Sequence, residues 1–203
     1  MKGTLKLGLK FANTDYLKQF DPLTFLKDLE CVSFNQGTRL ITDKDVLEST
    51  AFADSNLARD IDTRRSVTAF VFFLGCCIIS WCSKQQTSVA LSSMEAEYMA
   101  ACATAQEAIW LRRLLKEFGC IFTQPFTILD DNQSCIYLAK NQGDFPRSKH
   151  IDMRYHFVRE QVERGEIILR KIDMKQNLAD VFTKALDKVQ FLWIISNFMH
   201  YCY

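Results

Sequence analysis

Apolar and polar positions along the chain change their spacing several times, and each spacing predicts a different element. The clearest stretch is SSMEAEYMAACATAQEAIWLRRLLKEFG, residues 92–119, where apolar residues recur near the 3.6-residue period of a helix. Ser92 and Glu95 match a capping box at its start, and Gly119 suits the position just past its end. This stretch therefore predicts one long amphipathic helix.

Runs rich in β-branched and aromatic residues predict strands on both sides of that helix. They are STAFADSN, SVTAFVFFLG, CIISWCSK, PFTILD and EIILRKIDM, and Gly75 lies near the turn between the second and the third. NQSCIYLAKN, the segment that stops at Gly165, and NLADVFTKAL with Asn177 as its cap predict further helices. The order is β-β-β-α-β-α-α-β-α, which predicts an α/β fold with a mixed sheet flanked by helices.

Composition and charge narrow the class of protein without naming a partner. The chain has 203 residues, is 48% hydrophobic and 24% charged, and has a net charge of +1. These values fit a globular domain with a real core, and they make any nucleic-acid binding depend on local clusters of charge. No apolar run reaches the roughly 18 residues of a spanning helix, and the tail FLWIISNFMHYCY is too short, so we expect no membrane partner.

The eight cysteines predict thiols rather than disulfides. The opening MKGTLKLGLKF has no apolar core of a secretion signal, and several cysteines lie in apolar runs, where thiols pack as small hydrophobic groups. No pair forms a C-x-x-C motif, which disfavours a structural zinc site. We expect a reducing compartment, cytoplasmic or nuclear.

Four acids stand at comparable places beside predicted elements: Asp54, Glu97, Asp131 and Asp180. Carboxylates that share one site repel each other, and a divalent cation such as Mg²⁺ removes that penalty. Spacing alone leaves simpler interpretations open, because most acids only solvate a surface and an acid early in a helix is favoured by the helix dipole. Spacing also leaves open whether Asp130 or Asp131 would hold a metal.

Longer motifs favour the metal site. ALSSMEAEYMAACATAQEAIWLRRLL, DDNQSCIYLAKN, RSKHIDMRYHFVREQVERGEI and NLADVFTKAL resemble, in order, the motifs of the RNase H domain in copia-type LTR-retrotransposon Pol polyproteins. The resemblance covers about residues 49–187. It implies an RNase H-like fold with a five-stranded mixed sheet, and hydrolysis of the RNA strand of RNA–DNA hybrids. The implied cofactor is a pair of Mg²⁺ ions, for which Mn²⁺ can substitute.

The resemblance also assigns roles to particular residues. It implies that Asp54, Glu97, Asp131 and Asp180 are the catalytic, metal-binding acids, whereas Asp130 stands where the family needs no acid and is expected behind the ligands or facing solvent. The segment SNLARD departs from the family, with Asn56, Leu57 and Arg59 in place of an aspartate, a tryptophan and a glycine. Ala185 replaces the family's proline in TKP.

A basic run and two tryptophans each have two interpretations. Arg147, Lys149, His150 and Arg154 either contact the phosphates of a nucleic-acid backbone or form a solvated helix face. Trp81 and Trp110 are predicted to be core residues rather than platforms for base stacking.

The remaining predictions concern domains and partners. Residues 1–48 resemble in part the connection between reverse transcriptase and RNase H, residues 49–187 form the RNase H-like domain, and residues 188–203 are a divergent apolar tail. The implied partners are an RNA–DNA hybrid and the reverse transcriptase portion of a parent polyprotein, which the 203 residues do not include. The alternative function is a catalytically inactive transposon remnant that keeps the fold and at most weak nucleic-acid binding.

Overall fold

The computed structural model describes residues 49–75, 77–140 and 149–200. The predicted connection at 1–48 and the basic residue Arg147 lie outside the described residues. The strands are β1 (Ser49–Asn56), β2 (Val67–Leu74), β3 (Cys77–Gln85), β4 (Phe126–Asp130) and β5 (Ile167–Lys171). The helices are α1 (Ser93–Glu117), α2 (Gln133–Lys140), α3 (Lys149–Glu163), α4 (Asp180–Thr183) and α5 (Lys188–His200), with a 3-10 turn at Met174–Gln176.

The five strands form one mixed sheet in the order β3-β2-β1-β4-β5. β1, β2 and β3 pair antiparallel, whereas β1 pairs with β4, and β4 with β5, in parallel. The predicted five-stranded mixed sheet flanked by helices is therefore confirmed. Because β1 and β4 run side by side in the same direction, their carboxyl ends meet at one edge of the sheet, where ligands bind in open α/β sheets.

Helix α1 begins and ends as its sequence predicts. The Ser92 hydroxyl accepts a hydrogen bond from the Glu95 amide at 3.1 Å, which caps the first turn. The Glu95 carboxylate accepts from the Leu91 amide at 2.8 Å, one residue before the partner that a capping box predicts. Gly119 has a φ of +84°, the left-handed conformation that ends many helices.

The core lies on both faces of the sheet, which explains why β2 is apolar at nearly every position. One face of β2 contributes Val71 and Phe73, which pack with Leu178 and Ile194. On α1, Tyr98 is buried and lies against Tyr155 of α3, with ring centroids 4.0 Å apart. The sheet is thus covered by helices on each side, and α1 packs against one of its faces.

The apolar tail after residue 187 includes a packed helix. Ile194 of α5 is fully buried, and the Phe198 ring lies 6.1 Å from Phe73 and 6.0 Å from Phe182, between ring centroids. Leu192 and Trp193 remain partly exposed on the other side of α5. No helix in the described ranges is long and apolar enough to cross a membrane.

The prediction that Trp81 and Trp110 belong to the core is wrong. Trp81 is 65% exposed and Trp110 is 55% exposed. Among the described residues, β3, which carries Trp81, has a neighbouring strand on one side only, and Trp110 lies on the outer side of α1. Apolar character in the sequence therefore did not distinguish the covered face of each element from its open face.

Candidate metal centre

Three acids from separate elements converge at the edge where β1 and β4 end. Asp54 lies on β1, Glu97 lies in the second turn of α1, and Asp131 directly follows β4. One carboxylate oxygen from each lies within 4.8 Å of the other two. The strand Ser49–Asn56 continues two residues past Asp54, so this acid sits within the strand rather than at its end.

Burial makes this group of carboxylates costly in its charged form. Asp54 is 2% exposed and Glu97 is 7% exposed. Loss of water, reinforced by the neighbouring Asp130, Asp54 and Asp131, raises the pKa of Glu97 to about 10. Burial likewise raises the pKa of Asp54 to about 7, although a hydrogen bond from Thr183 opposes the shift.

The two adjacent aspartates have different surroundings. Asp130 is fully buried at the end of β4, and its Oδ1 accepts a hydrogen bond from the Asn132 amide at 2.7 Å. Burial raises the pKa of Asp130 to about 7. Asp131 is only partly buried and belongs to the group of three converging acids. Asp130 therefore lies behind the site, and a solvent-facing position for it is excluded.

Asp180, the fourth predicted acid, is buried at the start of α4 and lies outside the group of three. Its Oδ1 lies 2.9 Å from the Nζ of Lys184, four residues later. It is still close enough to repel the other acids, and together with burial it raises the pKa of Asp131. The structure thus places three predicted ligands together and the fourth beside them, held by a lysine.

The segment before α4 is tied to β1 by Asn177. This side chain is fully buried; its Nδ2 donates to the Ala53 carbonyl at 2.8 Å, and its Oδ1 accepts from the Ala179 amide at 3.1 Å. Asn177 was predicted to cap the helix in NLADVFTKAL, which corresponds to α4. However, α4 begins at Asp180 after Ala179, which provides no side-chain cap. The asparagine instead fixes the approach of α4 to β1.

Sequence reasoning missed Thr183, whose hydroxyl donates to Oδ2 of Asp54. The carbonyl of Thr183 accepts hydrogen bonds from the side chains of Asn56, at 3.3 Å, and Arg59. Asn56 and Arg59 are two of the residues that depart from the family pattern. Their contacts with α4 could have been suspected only from the fold, because they are separated from Thr183 by more than 120 positions.

Among the predicted basic residues, Arg154 is the one whose side chain the structure describes. It lines a cavity of about 290 Å³ between β3 and α1, together with Lys84 and the polar side chains of Gln85, Gln86 and Gln106. For Lys149 and His150 the structure describes only the backbone of α3. The cavity lining has two cationic groups and no acid.

The donors present fit a divalent cation of the Mg²⁺ type. Carboxylate oxygens are the ligands that Mg²⁺ prefers. Glu97 Oε2 is buried and has no hydrogen-bond partner, which is costly for a carboxylate unless a cation is bound there. Asp54, Glu97 and Asp131 would hold such an ion, and Asp180 lies next to them. A cation here would also offset the repulsion that raises the pKa values of these acids.

The fold is that of RNase H domains. The chain superposes on the N-terminal RNase H domain of a Mycobacterium tuberculosis protein, solved as a fusion with maltose-binding protein, with a TM-score of 0.51 at 11% identity. This superposition covers 74% of the present chain and 97% of the other. The RNase H-like fold that the motifs predicted is therefore confirmed.

The relatives that match over about 140 residues are transposon Pol polyproteins. The chain is 43% identical over 140 residues to a retrovirus-related Pol polyprotein from the tobacco transposon TNT 1-94, and 38% identical over 141 residues to that of the Arabidopsis thaliana transposon RE2. These matches cover 69% and 70% of the chain but 10% of each polyprotein, so the chain spans about a tenth of their length. No family model matches the chain. The resemblance to transposon Pol polyproteins is thus confirmed.

Proposed function

We propose that this chain is a retrotransposon-derived ribonuclease H that hydrolyses the RNA strand of RNA–DNA hybrids with the help of a divalent metal. The observation that carries the proposal is the convergence of Asp54, Glu97 and Asp131, which each place one carboxylate oxygen within 4.8 Å of the other two at the carboxyl edge of the sheet. The RNase H-like fold and the transposon Pol relatives support it.

The roles of the side chains follow from their positions. Asp54, Glu97 and Asp131 would hold one metal ion, and Asp180 would be a ligand of a second ion. A bound Mg²⁺ or Mn²⁺ would supply Lewis acidity, which makes a water nucleophilic and stabilises the leaving oxygen of a phosphodiester. Because burial raises the pKa values of Asp54 and Glu97, these acids must release protons when they become ligands, and metal affinity should increase with pH.

The cavity beside α1 supports a contact with a nucleic-acid backbone. Gln86, which lines it, donates a hydrogen bond to the carbonyl of Ala96, the residue before Glu97, at 3.0 Å. This hydrogen bond links the lining of the cavity to the turn of α1 that carries Glu97. Arg154 and Lys84 would contact phosphates there, an interaction that contributes affinity and depends strongly on salt but reads no sequence.

The test of the proposal is cleavage of an end-labelled RNA–DNA hybrid by the purified chain with Mg²⁺ or Mn²⁺. We expect metal-dependent cutting of the RNA strand, which Asp131→Asn abolishes because it removes one of the converging carboxylates. The matched control is Asp62→Asn, which removes an exposed carboxylate from the β1–β2 connection and should cut normally. Circular dichroism would verify that each variant is folded.

Two results would contradict the enzyme. Equal cleavage by Asp131→Asn would show that the activity comes from elsewhere. A folded wild-type chain that binds Mn²⁺ but cuts no hybrid would favour the alternative, an inactive remnant that keeps the fold.

The proposed backbone contact has its own test. Arg154→Ala should weaken binding of the hybrid several-fold at low salt and reduce the salt dependence of binding, while cleavage at saturating hybrid stays near normal. Binding is measured by fluorescence anisotropy in Ca²⁺, with the exposed Arg113→Ala as the matched control. Equal affinity for the wild type and Arg154→Ala would assign Arg154 to a solvated helix face.

A further inference from the structure

Lys184 places a fixed positive charge at the metal centre. It directly follows α4, and its Nζ lies 2.9 Å from Oδ1 of Asp180. The side chain of Lys184 is 34% exposed and that of Asp180 is 5% exposed, so the pair lies at the boundary between the buried acids and solvent. Lys184 also interacts electrostatically with Asp54 and Asp131.

The backbone around Lys184 is held by several contacts, so the position of its ammonium group is built into the fold. The Lys184 amide donates to the Asp180 carbonyl at 3.1 Å. The preceding residue, Thr183, is fully buried and bonds to Asp54 through its hydroxyl. Its carbonyl accepts from Asn56 and Arg59.

The four predicted ligand acids differ in whether a cation already lies beside them. Asp54, Glu97 and Asp131 form one group of carboxylates open to a cation, and Glu97 Oε2 has no partner. Asp180 already has a cation, the ammonium of Lys184. A divalent ion that used Asp180 would have to displace this ammonium, and it would also be repelled by it, because like charges a few ångströms apart interact strongly at a partly buried site.

We propose that Lys184 is a positioning residue that occupies the place of a second divalent cation, so that the protein without substrate binds one ion at Asp54, Glu97 and Asp131 and a second ion only weakly. This inference rests on the proposed metal-dependent function and deepens it. The resemblance implied two bound ions. The inference is that these two ions differ in affinity, because the second competes with the ammonium group of Lys184.

The test counts bound ions without using activity. The full 203-residue chain is titrated with Mn²⁺ in the absence of nucleic acid, and free Mn²⁺ is measured by electron paramagnetic resonance. We expect one tightly bound ion in the wild type. We expect two in Lys184→Met, with the second ion bound at least about 10-fold more tightly than in the wild type, because the methionine keeps most of the length of the side chain and loses its charge.

Two further variants separate charge from shape. Lys184→Arg keeps the positive charge and should bind one ion tightly, as the wild type does. Lys188→Met removes an exposed lysine four residues later, at the start of α5, and should also behave as the wild type does. If Lys188→Met also gained a second tightly bound ion, the gain would reflect the total charge of the protein rather than the position of Lys184. That result would overturn the inference.

The outcomes distinguish this inference from the proposed function. Equal Mn²⁺ binding by the wild type and a folded Lys184→Met overturns the role of Lys184, even if the wild type cleaves hybrids. Two tight ions in the wild type overturn it as well. A wild type that binds one ion, with a second gained in Lys184→Met, supports the inference even if no hybrid is cut, in which case only the proposed activity fails.

Discussion

Thr183 shows how a single side chain adjusts the chemistry of the centre. Its hydroxyl donates to Asp54 Oδ2, and its carbonyl accepts from Asn56 and Arg59. A hydrogen bond to a carboxylate stabilises the charged form. It therefore lowers the pKa of Asp54, against the larger effect of burial, and would favour the charged carboxylate that the proposed metal needs.

Replacing Thr183 by valine tests this effect with little change in shape. Without the hydroxyl, the pKa of Asp54 should rise further, so Mg²⁺ should bind about 10-fold more weakly near pH 7, and the difference should shrink as the pH rises. The buried carboxylate also loses a partner, so we expect a loss of about 1–2 kcal/mol in the free energy of unfolding. Isothermal titration with Mg²⁺ at pH 7 and pH 9 measures the first effect, and equal weakening at both pH values would contradict it.

At the residue scale, the sequence predicted which acids lie in the site better than it predicted which side chains contact them. The motifs predicted that Asp54, Glu97 and Asp131 belong to one site, and the structure brings these three acids together. The motifs could not show that Lys184 pairs with Asp180 or that Asp130 is fully buried. Such contacts depend on how distant elements pack, and neither hydrophobic period nor local spacing carries that information.

At the scale of elements, the hydrophobic pattern was most reliable where an element is long. The period of α1 and the capping box at Ser92 predicted its location correctly, and the left-handed Gly75 and Gly165 mark the turns that were expected. The pattern was least reliable near α4, a helix of four residues, because one turn of helix shows no period. The pattern also failed to show which face of an element is exposed, because Trp81 and Trp110 are apolar residues on open faces.

Helix α5 offers a test of whether the apolar tail belongs to the folded domain. Ile194 is fully buried against Val71 and Phe73 of β2 and Leu178. Ile194→Ala should therefore create a cavity and lower the free energy of unfolding by about 2–4 kcal/mol, as measured by urea denaturation. Ile61→Ala removes the same atoms from a side chain that is 84% exposed and should change stability by less than about 0.5 kcal/mol. Equal stability of the two variants would place the domain boundary before α5.

At the scale of the whole molecule, a net charge of +1 conceals a strong local imbalance. Asp54, Glu97, Asp130 and Asp180 are all buried at one edge of the sheet, with Asp131 beside them. The fold therefore contains a region whose charged form is unfavourable unless a cation is present. Stability, metal binding and pH should consequently be linked.

The direction of that linkage follows from the raised pKa values. Asp54 and Asp130 have a pKa of about 7 in the folded protein, and Glu97 of about 10, whereas the ordinary values are 3.8 and 4.5. As the pH rises, the unfolded chain loses these protons before the folded protein does. The protonated acids therefore contribute most to the free energy of unfolding below about pH 4, and this contribution is lost as the pH rises through 7. Without metal, we therefore expect the free energy of unfolding to fall by several kcal/mol between pH 5 and pH 8.

Saturating Mg²⁺ should reverse this trend, because an ion that binds only the folded, deprotonated centre stabilises it more at higher pH. The measurement is urea denaturation at pH 5 and pH 8, with Mg²⁺ and with a chelator. Glu97→Gln removes the acid with the largest rise in pKa, and it should flatten the metal-free profile and reduce the effect of Mg²⁺ at pH 8. A metal-free wild type that becomes more stable from pH 5 to pH 8 would show that these carboxylates are charged in the folded protein, and that the buried centre tolerates its own repulsion without a cation.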